Sequence, residues 1–398
     1  MRLLFVADGR SPIALNWVAH FVQTGHEVHW ASTYPCQIDM PLASLTIVPT
    51  AFGEIAGDLG EQRQSSKSRL LRRLVPVKLR TILRQWLGPL TLPRAARQLR
   101  EVIDSLQPDL VHAMRIPYEG MLAAQALANR PGDTKPPALL ISVWGNDFTL
   151  HARANPWMRR LTRQTMQGAD GLHTDCQRDR RLAGEWGFAS RKPALVLPGN
   201  GGIHLEQFYP GENPGDEPVN HVIVNPRGFR SYVCNSAFFH AIPTVLARFP
   251  QARFVCPSMA GEAQAVRWVA ELGIGEAVCL LPRQTSAQMA DLFRRAQVVV
   301  SPTTHDGTPN TLLEAMACGC FPVAGELESL REWIAPGVNG LLTAPDDPLA
   351  LANAIVQALE NPSLRASAAV YNQRLVAERA EYEHGMKQAE KFYEELMV

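Results

Sequence analysis

The chain has 398 residues, of which 46% are hydrophobic and 19% are charged, and its formal net charge is +1 at pH 7. This length suits two domains of ordinary size, and the small net charge gives no global case for binding nucleic acid. Seven cysteines without a CxxC pair argue against a disulfide framework. The apolar run at 3–7 is short for a signal peptide and no run is long enough to span a membrane, so we expect a cytoplasmic protein.

The first half of the chain alternates short apolar runs with segments of helical periodicity. Residues 2–7 (RLLFVA) predict a strand, IALNWVAHFVQTG predicts a helix and GHEVHWAS predicts a second strand. This order is typical of the start of a parallel α/β unit. Further strand-like runs are DLVHA at 109–113, ALLISVWG at 138–145 and ALVLPGN at 194–200.

A basic segment interrupts this series. Between Arg63 and Arg100 there are eleven Lys or Arg and no acidic residue. Residues 67–88 (KSRLLRRLVPVKLRTILRQWLG) alternate cations with apolar residues and are broken by Pro76, which predicts two short amphipathic helices. Such helices suit contact with an anionic membrane surface, and the alternative is an ordinary surface helix. The predicted membrane-contact residues are Arg69, Arg72, Arg73, Lys78, Arg80, Arg84 and Trp86.

A second α/β series follows residues 211–218 (GENPGDEP), a polar segment that predicts a linker. Its strand-like runs are HVIVNPRG, ARFVCPS, AVCLLP and VVVSPT, with helical segments between them. We therefore expect two Rossmann-like domains that face each other across a cleft, with ligands at the strand carboxyl ends. The expected domains are 1–205 and 206–377, and a helix at about 378–398 is expected to return to the first domain.

The stretch 301–325 (SPTTHDGTPNTLLEAMACGCFPVAG) carries the most specific pattern. Thr308 and Pro309 predict a helix start, with Pro309 as the first helical residue, and Gly319 predicts its end. The N–H groups of Asn310 to Leu312 would then favour an anion such as a diphosphate. Glu314 lies among apolar neighbours, where a buried carboxylate needs donors such as ribose hydroxyls. The alternative is an ordinary exposed Glu after a common turn.

These residues resemble the signature of family 4 retaining glycosyltransferases, which have the GT-B fold: an acidic residue, Gly, x, Pro, then Leu-Glu-Ala-Met-Ala-x-Gly. PDLVHAMRI, ISVWGNDF and the segment from GADGLHTDC to LEQFYP are similar to further parts of that family, so the likeness covers nearly the whole chain. The sequence departs from the family with Asp306 where Glu is usual, without a Lys shortly after Arg227, and with His204 where Asp is usual.

The resemblance implies a nucleotide-sugar donor held mainly by the second domain. It gives Glu314 the ribose hydroxyls, Asp306 the transferred sugar and Arg227 the donor phosphates, while Arg230 could replace the missing Lys. The remaining predicted donor-binding residues lie in the 307–312 turn and after the first strand, and they are Gly307, Thr308, Pro309, Asn310, Thr311, Leu312, Gly9 and Ser11. For Gly9 and Ser11 a simple tight turn is the alternative.

Candidate residues of the first domain lie at predicted strand ends. His112 and Asp147 would face the cleft and contact sugar or acceptor, and Asn146 and His151 are further acceptor-side candidates; for all of them an ordinary structural role is the alternative. The sequence has no DxD pair and no ligand-spaced His and Asp cluster, so we expect no essential metal and no cofactor beyond the donor.

The resulting hypothesis is a retaining hexosyltransferase that acts on a glycan or lipid-linked acceptor in bacterial-type cell-surface polysaccharide or glycolipid synthesis. Its predicted location is the inner face of the cell membrane, in peripheral contact. The alternatives are a non-catalytic protein that keeps the GT-B fold, which the missing Lys and Asp306 would favour, and a sugar-nucleotide epimerase of the same architecture. An epimerase would need an acid–base pair, and no such pair is apparent in the sequence.

Overall fold

The computed structural model describes the chain in four stretches, with the backbone alone described at 77–80: residues 1–51, 77–128, 136–211 and 221–397. The chain divides into two compact units: unit 1 comprises Met1–Gly201 with His384–Val398, and unit 2 comprises Gly202–Glu383. The division lies four residues before the expected one at 205, and the chain returns to unit 1 six residues later than expected. The predicted linker at 211–218 lies almost wholly outside the described residues.

Unit 1 contains a seven-stranded parallel sheet in the order β3-β2-β1-β4-β5-β6-β7. The central strands are buried on both faces, which is why they are continuous apolar runs in the sequence. The strands are β1 (Arg2–Ala7), β2 (Glu27–Ser32), β3 (Ser44–Ile47), β4 (Leu110–Ala113), β5 (Ala138–Val143), β6 (Gly171–Thr174) and β7 (Ala194–Val196).

Helices connect these strands, as a parallel sheet requires. Two single turns with wide i to i−5 hydrogen bonds, Ile116–Gly120 and Asp147–His151, follow β4 and β5, and a 3₁₀ turn occupies Gly88–Thr91. The described helices before β8 are α1 (Pro12–Gln23), α2 (Val77–Leu87), α3 (Leu92–Leu106), α4 (Met121–Leu127), α5 (Pro156–Gly168) and α6 (Gln177–Glu185).

Unit 2 contains a six-stranded parallel sheet in the order β10-β9-β8-β11-β12-β13. Its strands are β8 (Val222–Val224), β9 (Arg253–Cys256), β10 (Val278–Leu280), β11 (Val298–Ser301), β12 (Phe321–Gly325) and β13 (Leu341–Thr343). Its helices, with a 3₁₀ turn at Leu330–Glu332, are α7 (Asn235–Arg248), α8 (Ala263–Glu271), α9 (Ser286–Arg295), α10 (Asn310–Ala317), α11 (Pro348–Glu360) and α12 (Pro362–Ala380).

The last helix, α13 (Tyr382–Met397), packs against unit 1. Its buried Tyr393 ring stacks on Phe21 with 4.5 Å between the ring centroids, and its hydroxyl accepts a hydrogen bond from the Trp17 indole at 2.9 Å. The expected return of a C-terminal helix is thus seen as a contact between α13 and residues of α1.

The strand order brings particular loops together in each unit. In unit 1, β2 and β3 lie on one side of β1, and β4 pairs with β1 on the other side. The loops that follow β1 and β4 are therefore neighbours. In unit 2 the same arrangement makes neighbours of the loops after β8 and β11. The expectation of two Rossmann-like domains is therefore confirmed. Several of the predicted site residues lie in these two pairs of loops.

Candidate functional site

Helix α10 begins one residue later than the sequence predicted. Pro309 has an extended backbone (φ −69°, ψ 117°) and is the N-cap, while Asn310 is the first helical residue. The hydroxyl of Thr308 accepts a hydrogen bond from the indole N–H of Trp333 at 3.0 Å, so the prediction that Thr308 caps the helix is wrong. Pro309 suits the first helical position by residue type, but its extended ψ places it before the helix, and no side chain caps the helix start. Gly319 follows the helix with φ +91°, as predicted.

The free N–H groups at this helix start are fewer than predicted. Leu312 donates its N–H to the Pro309 carbonyl at 2.9 Å, so its predicted contribution to an anion site is wrong. The N–H groups of Asn310 and Thr311 have no acceptor among the described residues. Two donors therefore remain, and they lie where the positive end of the helix dipole is located.

Arg227 and Asp306 form an ion pair across the neighbouring loops after β8 and β11. The Arg227 Nη2 donates to Asp306 Oδ2, and its Nη1 donates to the Thr311 hydroxyl at 3.2 Å. Arg227 is only 5% exposed, and its Nε is buried without an acceptor among the described residues. The guanidinium is thus fixed beside the start of α10, and its Nε–H can still donate a hydrogen bond to a ligand.

Glu314 is half-buried one turn further along α10, and no described residue donates a hydrogen bond to its carboxylate. Burial raises its pKa to about 7 because desolvation disfavours the charged form. The side-chain oxygen of Asn310, four residues earlier, is also buried without a donor. Residues four apart share a helix face, so two acceptors that lack donors lie together there. We call Arg227, Asp306, Asn310, Thr311 and Glu314 the α10 cluster.

The other predicted residues of unit 2 lie on the loops around this cluster. Gly307, Thr308 and Pro309 are buried between Asp306 and α10. The Asp306 carbonyl accepts a hydrogen bond from the Ser329 hydroxyl at 2.7 Å, a contact that the sequence analysis did not predict. Arg230 is exposed, and its Nη1 lies 3.5 Å from the Tyr232 hydroxyl.

Gly9 and Ser11 both have structural roles in the turn after β1. Gly9 donates its N–H to the Ser32 hydroxyl at 3.1 Å, and a Cβ at this position would overlap Cys36 Sγ. Ser11 is the N-cap of α1 and accepts from the Ala14 N–H at 3.4 Å. Their donor-binding role stays a prediction.

The prediction that His112 faces a ligand is wrong. His112 lies within β4, is 1% exposed, and bonds through Nδ1 to the Tyr393 hydroxyl at 2.5 Å and through Nε2 to the Ser142 hydroxyl at 2.7 Å. Ser142 in turn bonds His173 Nδ1 at 2.8 Å, and His173 Nε2 bonds the carbonyl of residue 197 at 2.9 Å. A four-residue strand buried on both faces has no local feature that separates this His from one at a strand end.

This chain of hydrogen bonds fixes every proton in it. A carbonyl only accepts, so His173 Nε2 carries the proton and its Nδ1 accepts from Ser142. Ser142 must then accept from His112 Nε2, and His112 Nδ1 accepts from the Tyr393 hydroxyl. This assignment holds for neutral rings that each carry the proton on Nε2. Burial lowers the pKa of His173 to about 4 and that of His112 well below its usual value, which agrees with this assignment.

Asp147 is fully buried rather than open to an acceptor, so that prediction is also wrong. Its Oδ1 accepts from Arg115 Nε at 3.1 Å, and its Oδ2 accepts from the N–H groups of Ile116 and Trp144 at 3.1 and 3.2 Å. Asn146 Oδ1 accepts from Arg115 Nη2 at 3.0 Å. The two residues hold Arg115, which the sequence analysis did not single out.

His151 lies at the end of the turn that begins at Asp147. Its Nδ1 is 3.1 Å from the side-chain nitrogen of Gln85, which belongs to α2. The side-chain amide of Asn155 donates to the Gln85 carbonyl at 3.0 Å. The predicted acceptor-side residue His151 therefore contacts the basic helix, and its acceptor role stays a prediction.

Helix α2 (Val77–Leu87) lies in the described end of residues 67–88. The residues before Val77 lie outside the described part of the chain, so the two helices expected around Pro76 stay a prediction. The outer face of α2 exposes Ile82, Leu83, Leu87 and Trp86, the last of which is 54% exposed. Arg84 points away from this face, with its guanidinium 5.0 Å from the centre of the Tyr118 ring, so its assignment to membrane contact is wrong. The predicted contacts Arg69, Arg72 and Arg73 lie outside the described residues, as do the side chains of Lys78 and Arg80. No described helix is long and apolar enough to cross a membrane.

One group of described residues has the composition of a metal site. Ligand atoms of Asp175, Cys176 and Asp179 lie within 4.8 Å of one another. Arg178 donates to Asp179 Oδ1 at 2.9 Å and so supplies a positive charge inside the group, and burial raises the pKa of the Cys176 thiol. Both features oppose cation binding. The expectation that no metal is essential stays a prediction.

Comparison with known families gives two matches along the chain. The glycosyl transferase 4-like domain matches residues 9–199, and glycosyl transferases group 1 matches residues 235–361. D-inositol 3-phosphate glycosyltransferase of Corynebacterium urealyticum is 27% identical over an alignment of 281 residues. The alignment covers 65% of this chain and 65% of that protein. The chain therefore spans just under two thirds of the length of this relative.

Solved structures of similar fold cover the chain from end to end. Sucrose-phosphate synthase from Thermosynechococcus elongatus has a TM-score of 0.76 at 16% identity, over 100% of this chain and 99% of that chain. HepE from Anabaena, solved in complex with UDP-glucose, has a TM-score of 0.68 at 15% identity, over 98% of each chain. At such identities the likeness shows the fold, which is GT-B.

Proposed function

Because the chain belongs to the glycosyltransferases of the family 4 type, we propose that it transfers a sugar from a nucleotide-sugar donor to a glycan or lipid-linked acceptor. The proposal includes retention of anomeric configuration and a role in bacterial-type cell-surface polysaccharide or glycolipid synthesis. The observation that carries it is the α10 cluster. Among the described residues, the buried Asn310 Oδ1 and the half-buried Glu314 carboxylate have no donors, and they lie near two N–H groups without acceptors and a buried guanidinium.

The groups of a nucleotide sugar could supply the hydrogen-bond partners that the α10 cluster lacks among the described residues. Two ribose hydroxyls would supply the hydrogen bonds that the Glu314 carboxylate lacks. The diphosphate would accept from the N–H groups of Asn310 and Thr311 and from Arg227. HepE, a neighbour of the same fold, is described in complex with UDP and with UDP-glucose, and this supports a donor of that class for the present chain.

In the proposed reaction the bond between the anomeric carbon and the phosphate oxygen breaks, and charge grows on the departing diphosphate. Donors already aimed at that charge stabilise the transition state more than the ground state. Arg227 and the two N–H groups have this role. The acceptor hydroxyl attacks on the face that the phosphate leaves, which retains configuration, and the leaving phosphate takes its proton. No metal is essential to the proposed step, so EDTA should leave turnover unchanged.

Ligand-induced thermal stabilisation tests the donor assignment. A ligand that binds only the folded chain raises its melting temperature, and a concentration of 100 Kd stabilises it by about 2.7 kcal/mol. We expect this shift with a nucleoside diphosphate and its sugar, its loss in Arg227→Gln, and its retention in Arg253→Gln, an exposed arginine on β9. No shift across a panel of nucleoside diphosphates and their sugars would contradict the proposal.

We also propose that unit 1 contacts an anionic membrane through α2, at the inner face of the cell membrane. Ile82, Leu83, Trp86 and Leu87 form an exposed apolar strip on a helix within a strongly basic segment. Flotation with anionic vesicles at low salt should carry the protein along, and Leu83→Ser with Trp86→Ser should abolish flotation. If the wild-type protein does not float with these vesicles, this part of the proposal is wrong.

A further inference from the structure

The start of helix α10 differs from the one that its own residue types favour. Thr308 followed by Pro309 has the types of an N-cap and a first helical residue, and a threonine N-cap accepts from the N–H of the second or third helical residue. Counted from Pro309, those N–H groups belong to Asn310 and Thr311, the same two that have no acceptor along the described stretches. The Thr308 hydroxyl is therefore a natural competitor for the N–H groups that we assign to the diphosphate.

The observed and the capped helix starts differ chiefly at one backbone torsion. Pro309 has φ −69°, which already suits a helix, and only its ψ of 117° keeps it extended. The residue before a proline favours an extended backbone, which is also the usual conformation of an N-cap. Rotation of ψ at Pro309 to about −42° would make Pro309 the first helical residue and Thr308 the cap. The capped start is thus open to this loop unless another contact prevents it.

The side chain of Trp333 makes such a contact. Its indole N–H donates to the Thr308 hydroxyl at 3.0 Å, and both residues are buried, with 5% and 4% of their surfaces exposed. Breaking this bond would leave the buried indole N–H without its acceptor, which costs free energy. Ser329 holds the same loop at a second point, because its hydroxyl donates to the Asp306 carbonyl at 2.7 Å. The segment after β12 therefore fixes the loop that precedes α10.

The indole is itself firmly held. The Arg379 guanidinium lies 4.3 Å from the centre of the Trp333 ring, and the Trp333 carbonyl accepts from the Asn339 side-chain amide at 2.8 Å. Asn339 also donates to the Asn372 side chain at 2.7 Å, and the Asn372 amide donates back to the Asn339 carbonyl at 2.9 Å. Both asparagines are fully buried. The direction of the indole N–H is therefore preorganised by contacts outside the α10 cluster.

We propose that Trp333 is a positioning residue that keeps Thr308 from capping α10 and so leaves the N–H groups of Asn310 and Thr311 available to the donor diphosphate. Without the indole N–H, the Thr308 hydroxyl caps the helix, and a ligand must displace it to reach the same N–H groups. Displacing a cap of ordinary strength weakens binding about fivefold. The effect on donor binding rests on the proposed function, whereas the choice between the two helix starts does not.

Amide hydrogen exchange of the full chain, followed by NMR, tests the choice of helix start without any ligand. Trp333→Phe removes the indole N–H and keeps an aromatic ring, so exchange at residues 310 and 311 should slow by about fivefold relative to wild type. Adding Thr308→Val to that variant removes the capping hydroxyl, so exchange should return to the wild-type rate. Trp333 also packs in the apolar core beneath α10. A packing defect alone would speed exchange in both variants.

Titration calorimetry with UDP tests the consequence for donor binding. We expect Trp333→Phe to bind UDP about fivefold more weakly than wild type, and the double variant with Thr308→Val to return to within about twofold of wild type. Thr308→Val alone should bind as wild type does. Trp157→Phe, at an exposed tryptophan of α5 in unit 1, is the control and should leave both exchange and affinity unchanged.

Several results would overturn the proposal. They are unchanged exchange or unchanged UDP affinity in Trp333→Phe, a double variant that Thr308→Val does not restore, and weaker binding in Thr308→Val alone, which would make the hydroxyl a ligand contact. Should Trp333→Phe fail to fold, Thr308→Asn decides, because Asn is a stronger N-cap than Thr, and wild-type exchange at residues 310 and 311 in that variant overturns the proposal. If wild type does not bind UDP, the assignment of this donor fails, and the exchange experiment still decides the role of Trp333.

Discussion

Replacing Glu314 by Gln should remove a pH dependence of stability that the α10 cluster imposes on the free protein. The carboxyl has a pKa of about 7 in the folded chain against an ordinary value of 4.5, because desolvation disfavours its charge. Below pH 4.5 both the folded and the unfolded chain hold the proton. Between pH 4.5 and 7 the unfolded chain releases it and the folded chain keeps it, so the free energy of unfolding falls as pH rises.

The size of this effect follows from the linkage between proton binding and stability. Each unit of pKa difference corresponds to 1.36 kcal/mol, so the ionised Glu314 costs about 3 kcal/mol above pH 7. That is a sizeable share of the roughly 5 to 15 kcal/mol by which a typical domain is stable. Glu314→Gln has no titrating group, so the cost that depends on pH disappears.

Urea unfolding of wild type and Glu314→Gln at a series of pH values from 4.5 to 8 measures the effect. The difference in free energy of unfolding between the two proteins should move by about 3 kcal/mol toward the variant over this range. Glu276→Gln, an exposed glutamate in the same unit, is the control and should run parallel to wild type. Parallel curves for wild type and Glu314→Gln would refute the claim that desolvation raises the pKa of this half-buried carboxylate.

Three further predictions concern other parts of the molecule. Arg227→Ala should lower turnover by about 100-fold or more in a sugar-transfer assay, since it removes a cation from the leaving phosphate; near-normal turnover would contradict its role. Tyr393→Phe should lower the free energy of unfolding by about 2 to 5 kcal/mol in urea, because it leaves His112 and Trp17 each without a hydrogen-bond partner. An equal loss in Tyr371→Phe, an exposed tyrosine, would contradict that reason. Trp86→Ser should change the melting temperature by less than about 2 °C, because the side chain is largely exposed; a large fall would show that it packs within the fold.

The fold was predictable because strands of a parallel sheet are buried on both faces and therefore form continuous apolar runs in the sequence. The strands at 2–7, 109–113 and 298–301 were identifiable for this reason, and the order of strand and helix implied the architecture. Glu314 was identifiable because one carboxylate stands out in an apolar helix. The helix start was misplaced by one residue because Thr308 followed by Pro309 has the usual types of a cap and a first helical residue, whereas Pro309 is extended and Thr308 bonds Trp333, which is distant in sequence.

Side-chain pairing was the part that the sequence could not supply. His112 bonds Tyr393, 281 residues away, and Arg227 bonds Asp306, 79 residues away. Neither pair leaves a periodic or local pattern, since one depends on how the C-terminal helix packs on the sheet and the other on which loops the strand order makes neighbours. The same reason hid Arg115, whose partner Asp147 was identified instead, and the inward direction of Arg84 on a helix that otherwise suits a surface.

The ion pair in the α10 cluster changes how donor binding should be understood. In the free chain Arg227 is already neutralised by Asp306, so a diphosphate that binds Arg227 exchanges one anion for another. If the proposed diphosphate displaces Asp306 from Arg227, the half-buried carboxylate loses this ion pair, which costs free energy unless new donors reach it. Sugar hydroxyls are such donors, and a nucleoside diphosphate without its sugar has none to offer. Under the proposed function, the ion pair would therefore favour the intact nucleotide sugar over the product diphosphate, and it would form again when the sugar departs. The energy that Asp306 recovers on re-pairing with Arg227 would then assist release of the diphosphate, which gives this ion pair a part in the whole cycle rather than in binding alone.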